Sequence, residues 1–401
     1  MKNIYLGVAL LALFFPCSIL LGKDLDRTNT QLMVKEKTLF EEVSGLKKKT
    51  DKLNLFFDIH SSADAYFNKG FDRGCFSMRE FRVEARGELN SWLSYRYRQK
   101  LNRSNDASGQ LDNMPNSIDV AYLSFKLSKK LSITTGKLFA AYGGIEFDLN
   151  PINVYEYSDI IDNMIGFMSG VTLGYQFTPT QELNLQITNN RNSMSVEELY
   201  KVDVEDAKLP LAYTLNWNGN FSDYYNPRWS FTYMNEAKSK NLYFLSLGNK
   251  FKLNNFGGYF DFMYSKEELD QKNIITSILN YNKDETASFQ NVGARYLSFI
   301  LEFNYRVKEK WNVFIKGSYE TASSNDACYS GDQLLKKGKY RSTCGYSTGL
   351  EFYPMNESNL HLFLTYVGKS YRYTDSAKSM GHENLDQSRV SLGFIYHLPL
   401  F

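Results

Sequence analysis

The chain has 401 residues and a formal net charge of only +2, with 46 Lys and Arg against 44 Asp and Glu. A charge so close to zero gives no bulk electrostatic attraction to nucleic acid or to an acidic partner. The mean hydropathy of −0.41 is that of a water-soluble protein, yet 29 Tyr and 29 Phe raise the aromatic content to 15%. High polarity combined with many aromatic residues is typical of a transmembrane β-barrel. A large soluble all-β protein is the alternative.

Residues 1–22 are predicted to be an export signal. Lys2 precedes an apolar run, Ile4–Phe15, which has the length of the hydrophobic part of a signal peptide. The run is shorter than the roughly 20 apolar residues that a membrane-spanning helix needs, so a single anchoring helix is the weaker alternative. A lipoprotein anchor at Cys17 is a third possibility, against which Pro16 argues, because lipoprotein signals have a small residue at that place. We expect cleavage near Gly22.

Residues 23–52 are predicted to form a short periplasmic helix. A heptad of leucines extends through this charged segment and predicts either a coiled coil that assembles barrels as homotrimers or a lone helix that serves as a spacer. The leucines are Leu25, Leu32, Leu39, Leu46 and Leu53.

Residues 53–401 are predicted to form the barrel. About sixteen segments have an apolar residue at every second position, which is the period of a strand with one apolar face. An even strand number is what a bacterial single-chain barrel requires. The predicted strands are Leu53–Tyr66, Phe76–Leu89, Ser91–Asn102, Ile118–Leu127, Leu131–Phe139, Phe167–Phe177, Glu182–Thr188, Leu211–Asn218, Trp229–Asn235, Asn241–Phe251, Gly257–Ser265, Arg295–Val307, Trp311–Glu320, Gly345–Tyr353, Leu360–Lys369 and Ser388–Phe401.

The connections between these strands alternate between short and long. Short polar turns follow the second, fourth and later even-numbered strands, and long polar loops follow most odd-numbered ones, except around Asn220–Arg228 and Glu236–Lys240. Short periplasmic turns with long extracellular loops are typical of outer-membrane barrels. The last strand alternates through Val390 and Leu398 and ends at the aromatic Phe401, like the closing strand of a Gram-negative barrel. The predicted fold is therefore an all-β, antiparallel transmembrane β-barrel.

The second and third strands are predicted to carry a basic wall of the pore. Their cationic residues alternate with apolar ones, and a cation on the lipid side at mid-bilayer costs about 2–4 kcal/mol. The cations should therefore face the lumen, where they either set selectivity or are only solvated wall residues. They are Arg82, Arg86, Arg96, Arg98 and Lys100.

The segment from Ala140 to Met164 is predicted to fold into the pore as a constriction loop. It is long and apolar, and such a loop in a compact fold is usually buried or functional. Its charged side chains are all acidic, so an acidic loop opposite a basic wall would create a transverse field that filters ions. The loop residues predicted to act there are Glu146, Asp148, Tyr155, Glu156, Tyr157, Asp159 and Asp162.

The cysteines and histidines predict no catalytic site, metal site or cofactor. Cys328 and Cys344 bracket one long loop, and an exported protein favours a disulfide between them, which leaves Cys75 as a free thiol. The four histidines, at positions 60, 361, 382 and 397, are scattered. The spacing that a Cys/His metal site requires is absent from the sequence.

Three features of the chain resemble the phosphate-selective porin O and P family of Gram-negative outer-membrane channels. They are the strand end Gly136–Gly144, the stretch Glu146–Asp159 and the terminal Phe401. The resemblance covers about residues 53–401 and implies a pore in the outer membrane. Members with phosphate selectivity resemble one another in Arg-rich ladders and basic constrictions, whereas this loop has no Arg or Lys between Lys137 and Met164.

The predicted function is a porin for passive diffusion of small hydrophilic solutes and ions across the Gram-negative outer membrane. The main alternative is an anion or phosphate channel in which the acidic side chains of the loop turn away from the narrowest point. A barrel that serves as an adhesin or scaffold is the second alternative, but such a barrel needs no inward loop. The expected partners are membrane lipid, the solutes or anions that pass, and two further copies in a trimer, with no nucleic acid.

Overall fold

A computed structural model of the chain describes residues 37–200, 204–222, 224–281, 293–330, 333–355 and 358–401, without the side chains of 328–330 and 333–335. Within these ranges, sixteen antiparallel strands close into one barrel, which confirms the predicted fold. The barrel strands are β1 (Asn54–Asn68), β2 (Phe71–Asn90), β3 (Leu93–Lys100), β4 (Ile118–Lys126), β5 (Leu131–Phe139), β6 (Phe167–Thr178), β7 (Gln181–Asn189), β8 (Leu211–Gly219), β9 (Tyr225–Ala237), β10 (Lys240–Leu253), β11 (Phe256–Glu267), β12 (Ala294–Lys308), β13 (Trp311–Ser324), β16 (Gly338–Phe352), β17 (His361–Tyr373) and β18 (Leu385–Pro399).

Short elements lie between the barrel strands. Strands β14 and β15 form a separate two-stranded sheet within one long loop, and no helix in the described ranges is long and apolar enough to cross a membrane. These elements are β14 (Cys328–Ser330), β15 (Gln333–Leu335), α1 (Leu39–Ser44), α2 (Ile145–Asp148), the 3₁₀ turn η1 (Pro151–Asn153), α3 (Asp159–Asp162), α4 (Val196–Tyr200), α5 (Ile274–Leu279) and α6 (Asp375–Lys378).

The barrel wall separates an apolar outer face from a polar inner one, as the period-two alternation predicts. On β17, Leu362 and Leu364 are 45% and 50% exposed, whereas Phe363 and Thr365 between and beside them are almost fully buried. Each strand bonds to the next along the chain, and β1 closes the barrel against β18 through pairs such as Ile59 with Tyr396. Exposed apolar side chains around a closed barrel form the surface that lipid covers.

The two ends of the barrel differ in their connections. The end at which β2 joins β3, here the turn end, has short turns and carries the C-terminus; the opposite end, here the loop end, has six long loops and two tight hairpins. The tight hairpins turn at Lys69-Gly70 and at Lys238-Ser239, where Lys69 and Ser239 both adopt a φ of 58°. Strand β2 therefore begins at Phe71, earlier than the predicted Phe76, because the first hairpin needs only two residues.

The predicted helix of residues 23–52 is wrong beyond Ser44. Helix α1 begins at a capping box between Thr38 and Glu41 and ends at Gly45, whose φ of 68° is the left-handed geometry that terminates helices. It docks on the end of the chain: the Phe40 N–H donates to the Leu400 carbonyl at 3.0 Å. Residues 23–36 lie outside the described ranges, so the coiled coil and the trimer that it would assemble stay predictions.

The hydrophobic core lies inside the barrel, towards β9–β13. It is made by the segment between β5 and β6 and by α5, which both pack against inward side chains of the wall such as Phe244, Met263 and Tyr296. Most of the lumen on that side is therefore filled by protein. The loop also reaches β16–β18, where its acids pair with Arg341, Lys369 and Arg389.

Substitutions on β6 test which face meets lipid. Leu173 points outward and is 39% exposed, whereas Thr172 lies on the inner face, where its hydroxyl accepts a hydrogen bond from Gln186 at 2.9 Å. We expect Leu173→Lys to lower the free energy of unfolding in lipid vesicles by about 2–4 kcal/mol. Thr172→Lys should cost about 1 kcal/mol, the value of the lost hydrogen bond. Equal losses in urea titrations of the two variants would contradict the assignment of the faces.

Candidate pore constriction

Residues 140–166, the constriction loop, leave the end of β5 and enter the lumen through two glycines. Gly143 and Gly144 adopt φ values of 68° and 82°, which only glycine adopts without strain. The loop backbone also passes very close to the wall, because a Cβ on Gly248 would lie 2.7 Å from the Gly144 Cα. The two glycines thus allow both the change of direction and the close approach. The inward fold predicted for the loop is observed.

Two carboxylates of the wall bind the loop backbone where its short helices begin. The Ile145 and Glu146 N–H groups both donate to Asp261 of β11 at 2.8 Å. At the second helix, the N–H groups of Asp159 and Ile160 donate to Glu320 of β13 at 2.7 and 3.0 Å. The first N–H groups of a helix have no partner within it, and a nearby carboxylate satisfies them and favours the helix dipole. Sequence analysis did not identify these two anchors.

Tyr155 holds the middle of the loop against the wall. Its ring stacks on Phe314 with centroids 5.0 Å apart and an interplanar angle of 4°, and it meets Phe363 edge-on at 4.9 Å. Its hydroxyl donates to Glu351 at 2.7 Å. Aromatic pairs and a bonded hydroxyl together make such a residue a strong anchor. Tyr155 therefore fixes the loop in place and does not serve as an open pore contact.

The acidic residues of the loop turn towards β9–β18 and away from the basic wall. Four of the five form ion pairs with cations on β9, β13, β16, β17 and β18, and Asp162 is exposed. The pairs are Glu146–Lys316, Asp148–Arg228 at 3.6 Å, Glu156–Lys369 and Glu156–Arg389 at 3.1 Å, Asp159–Arg341 at 2.6 Å and Asp159–Lys369 at 3.1 Å. Four of the five loop acids are therefore paired with cations on strands other than β2 and β3, and the transverse field between this loop and the basic wall stays a prediction.

Two wall cations keep one loop acid, Glu156, charged. Burial raises the pKa of Glu156, but Lys369 and Arg389 outweigh burial and hold that pKa below its ordinary value. The four paired carboxylates of the loop thus enter the lumen with their charge compensated, whereas Asp162 is exposed and forms no ion pair within the described residues. The five wall cations that pair with loop acids were also missed from the sequence, since they are spread over five strands and form no local pattern.

All five predicted residues of the basic wall lie on β2 and β3, where cross-strand pairing places them side by side. Three carboxylates lie among them, and each bridges two cations. The ion pairs are Arg82–Glu80 at 2.9 Å, Lys100–Glu80 at 3.0 Å, Arg82–Asp119 and Arg98–Asp119 at 3.2 Å, Arg96–Glu84 at 3.2 Å and Arg86–Glu84 at 3.3 Å. Five cations bonded to three carboxylates leave two positive charges in excess.

The basic wall has a buried part and a solvent-exposed part, which differ in the exposed fraction of their side chains. The side chains of Arg82, Arg98 and Lys100 are only 1%, 5% and 12% exposed. Arg86 and Arg96 are 36% and 32% exposed, and they share the single carboxylate of Glu84. The guanidinium groups of Arg86 and Arg96, near the turn end, are therefore open to solvent, whereas the other three cations are buried in the wall.

Tyr157 and the cysteines complete the predicted set. Tyr157 is half-buried and packs against the core that the loop forms inside the barrel. Cys344 has an exposed, free thiol and pairs across β13 and β16 with outward-facing Tyr319. The side chain of Cys328 lies outside the described ranges, so the structure gives no support to the predicted disulfide. Cys75 is exposed and free, as predicted. No group of His, Cys, Asp and Glu in the described ranges could hold a metal.

Comparison with known proteins identifies the family of the chain. Residues 53–398 match the family described as phosphate-selective porin O and P. The chain belongs to this family of porins. It is an outer-membrane channel of a Gram-negative cell, and in that setting the turn end faces the periplasm and the loop end faces outward. None of the curated proteins compared with the porin matches it.

Solved structures share the fold of the porin at low sequence identity. The outer membrane channel DcaP of Acinetobacter baumannii has a TM-score of 0.56 at 12% identity and matches 88% of this chain and 99% of its own. OmpT of Vibrio cholerae has 0.52 at 10% identity, with 88% and 99% covered. The anion-selective porin from Comamonas acidovorans has 0.52 at 8% identity, with 86% and 98% covered. Identities this low show a common fold and leave solute choice to the residues of the constriction.

Removal of a loop anchor tests the constriction. Asp261→Ala leaves two backbone N–H groups without their partner, at a cost of about 1–3 kcal/mol each. We expect the loop to detach at α2, so that single-channel recordings show a noisier current with frequent changes of conductance. Asp386→Ala removes the same charge from an exposed site at the loop end and should record like the unmodified porin. Equally quiet currents in both variants would contradict the anchor.

Proposed function

We propose that the porin passes small hydrophilic solutes by diffusion, with a modest preference for anions. One observation carries the proposal: the acids of the loop are paired with cations of β9–β18, whereas Arg86 and Arg96 share one carboxylate and stay exposed. The exposed cations Arg86 and Arg96 therefore exceed by one positive charge the single carboxylate that they share. This is the arrangement expected of the anion channel that sequence analysis gave as the main alternative.

The preference should be modest because the charges act in water. A unit charge about 4 Å from another in bulk water changes the energy by about 1 kcal/mol, which corresponds to about a fivefold difference in occupancy. Salt at physiological strength screens such charges over about 8 Å. Buried cations, which would act more strongly, are here bonded to carboxylates. A general pore with weak anion selectivity follows, in place of a site that holds phosphate tightly.

The inner half opposite the loop supports passage of uncharged polar solutes as well. Inward side chains on β4–β8 are mostly hydroxyls and amides that bond to one another, such as Ser124 with Thr134 at 2.9 Å and Asn184 with Asn216 at 3.4 Å. Such groups can exchange their hydrogen bonds with water and solute at little cost. The adhesin or scaffold alternative gives no reason for a loop anchored inside the lumen.

The reversal potential in a planar bilayer under a KCl gradient tests the proposal. We expect the porin to favour Cl⁻ over K⁺ by about fivefold or less. Arg86→Gln with Arg96→Gln should bring the ratio close to one, since the pair supplies the exposed positive charge.

The control variant carries the same change of charge elsewhere. Arg295 is exposed on the outer face of β12, and Arg372 lies at the loop end with 47% of its side chain exposed. Arg295→Gln with Arg372→Gln should leave the reversal potential unchanged. A cation-selective unmodified porin, or an equal shift in the control, would contradict the proposal.

A further inference from the structure

A cavity of about 530 Å³ lies on the outer side of the constriction loop. Helix α3 of the loop forms its floor, α5 and the upper parts of β16–β18 form its walls, and Tyr66 of β1 lies at its rim. Its volume falls within the roughly 300–1,000 Å³ that is typical of small-molecule sites. Solutes that enter from the loop end reach this outer cavity before they reach Arg86 and Arg96.

The charges that line the outer cavity cancel. Three cations and three carboxylates line it: Arg341, Lys369, Arg389, Glu156, Asp159 and Asp162. The cations are bonded to Glu156 and Asp159 at 2.6–3.1 Å. Thr343 adds a hydroxyl that donates to Asp159 at 3.0 Å. A charged ligand would have to break these pairs or stay uncompensated, which is costly at a partly buried site.

Each of three tyrosine rings around the outer cavity contacts a guanidinium group or an imidazole ring. The Arg73 guanidinium lies 4.7 Å from the Tyr66 ring centroid, and that of Arg341 lies 4.9 Å from Tyr371. The Tyr281 ring stacks on His382 at 4.2 Å. Each of the three tyrosines is still partly exposed, and Tyr281 is 43% exposed. Rings that are already fixed lose little conformational entropy when a ligand covers them.

His382 ties together the two outer loops that frame the cavity. Its Nε2 donates to the Ile278 carbonyl at 2.8 Å, and its ring stacks on that of Tyr373 with the centroids 4.4 Å apart. The stack therefore joins the loop that holds α5 to the loop that holds α6. This contact fixes the position of Tyr281 relative to β17, so the rim of the cavity is formed before any ligand arrives.

We propose that the outer cavity binds an uncharged mono- or disaccharide. A sugar ring offers an apolar C–H face for tyrosine rings and a rim of hydroxyls that both donate and accept hydrogen bonds. Paired carboxylates, guanidinium groups and amides offer the complementary donors and acceptors without net charge. The assignment rests on the proposed diffusion pore and names one solute class that the pore concentrates at its entrance.

Because the cavity has no net charge, it and the basic wall should act on different solutes. Anions gain nothing at the cavity and are favoured only at Arg86 and Arg96, whereas a neutral sugar gains at the cavity and is unaffected by the wall. The two sites therefore predict independent effects of their substitutions. This independence allows the failure of one proposal to be told from the failure of the other.

Isothermal titration calorimetry of the full-length, signal-cleaved porin in detergent micelles tests the site, with maltose as the neutral probe and gluconate and inorganic phosphate as charged ones. We expect maltose to bind in the millimolar range and the two anions at least tenfold more weakly. Tyr281→Ala should weaken maltose binding about tenfold. Tyr224→Ala removes an exposed tyrosine from the periplasmic end and should bind maltose as the unmodified porin does.

Two further readouts keep the outcomes distinct. Each variant is checked for the unmodified reversal potential, so loss of maltose binding in an intact channel is assigned to the cavity and not to misfolding. Maltose added on the loop side should reduce single-channel current in the unmodified porin and much less in Tyr281→Ala. Absent maltose binding, tighter binding of gluconate or phosphate, or equal loss in Tyr224→Ala would each overturn the proposal while leaving the anion preference of the wall untouched.

Discussion

A polar loop can lie inside a barrel only if its backbone and charges find partners there, and the rest of the structure depends on this constraint. An unpaired buried N–H or carboxylate costs several times what a bonded one contributes. Asp261 and Glu320 therefore accept hydrogen bonds from backbone N–H groups of the loop at the two places where its short helices begin. Cations of β9–β18 receive the loop acids. Every such bond also fixes which half of the lumen the loop occupies.

The division of the lumen follows from this docking. The loop acids form ion pairs with cations of β9–β18. They therefore leave the excess positive charge of β2 and β3 in place. The same ion pairs that neutralise the loop also line the outer cavity, where they remove net charge from the entrance. One set of contacts thus produces a neutral entrance followed by a weakly basic passage. The proposed anion preference is thus a result of how the loop is held and not of its own composition.

The sequence was sufficient for features that depend on local periodicity and insufficient for those that depend on distant partners. Alternation along each strand predicted sixteen strands and the inward direction of Arg82, Arg86, Arg96, Arg98 and Lys100. The length and apolar content of the segment predicted the inward loop. The direction of its acids was not predictable, because their partners are far away in the chain: Asp159 pairs with Arg341, 182 residues later. The leucine heptad did not predict where the helix ends, since Gly45 terminates it before Leu46 and Leu53.

A double-mutant cycle between Asp159 and Arg341 tests the central claim, that the loop acids are bound to the wall of β9–β18. The two side chains are 9% and 14% exposed and 2.6 Å apart. Asp159→Asn, Arg341→Gln and the double variant would be compared by the free energy of unfolding in lipid vesicles. Docking as described predicts a coupling energy of about 1–3 kcal/mol. Additive effects, with a coupling energy near zero, would show that the loop acids are free in the lumen and would contradict the account.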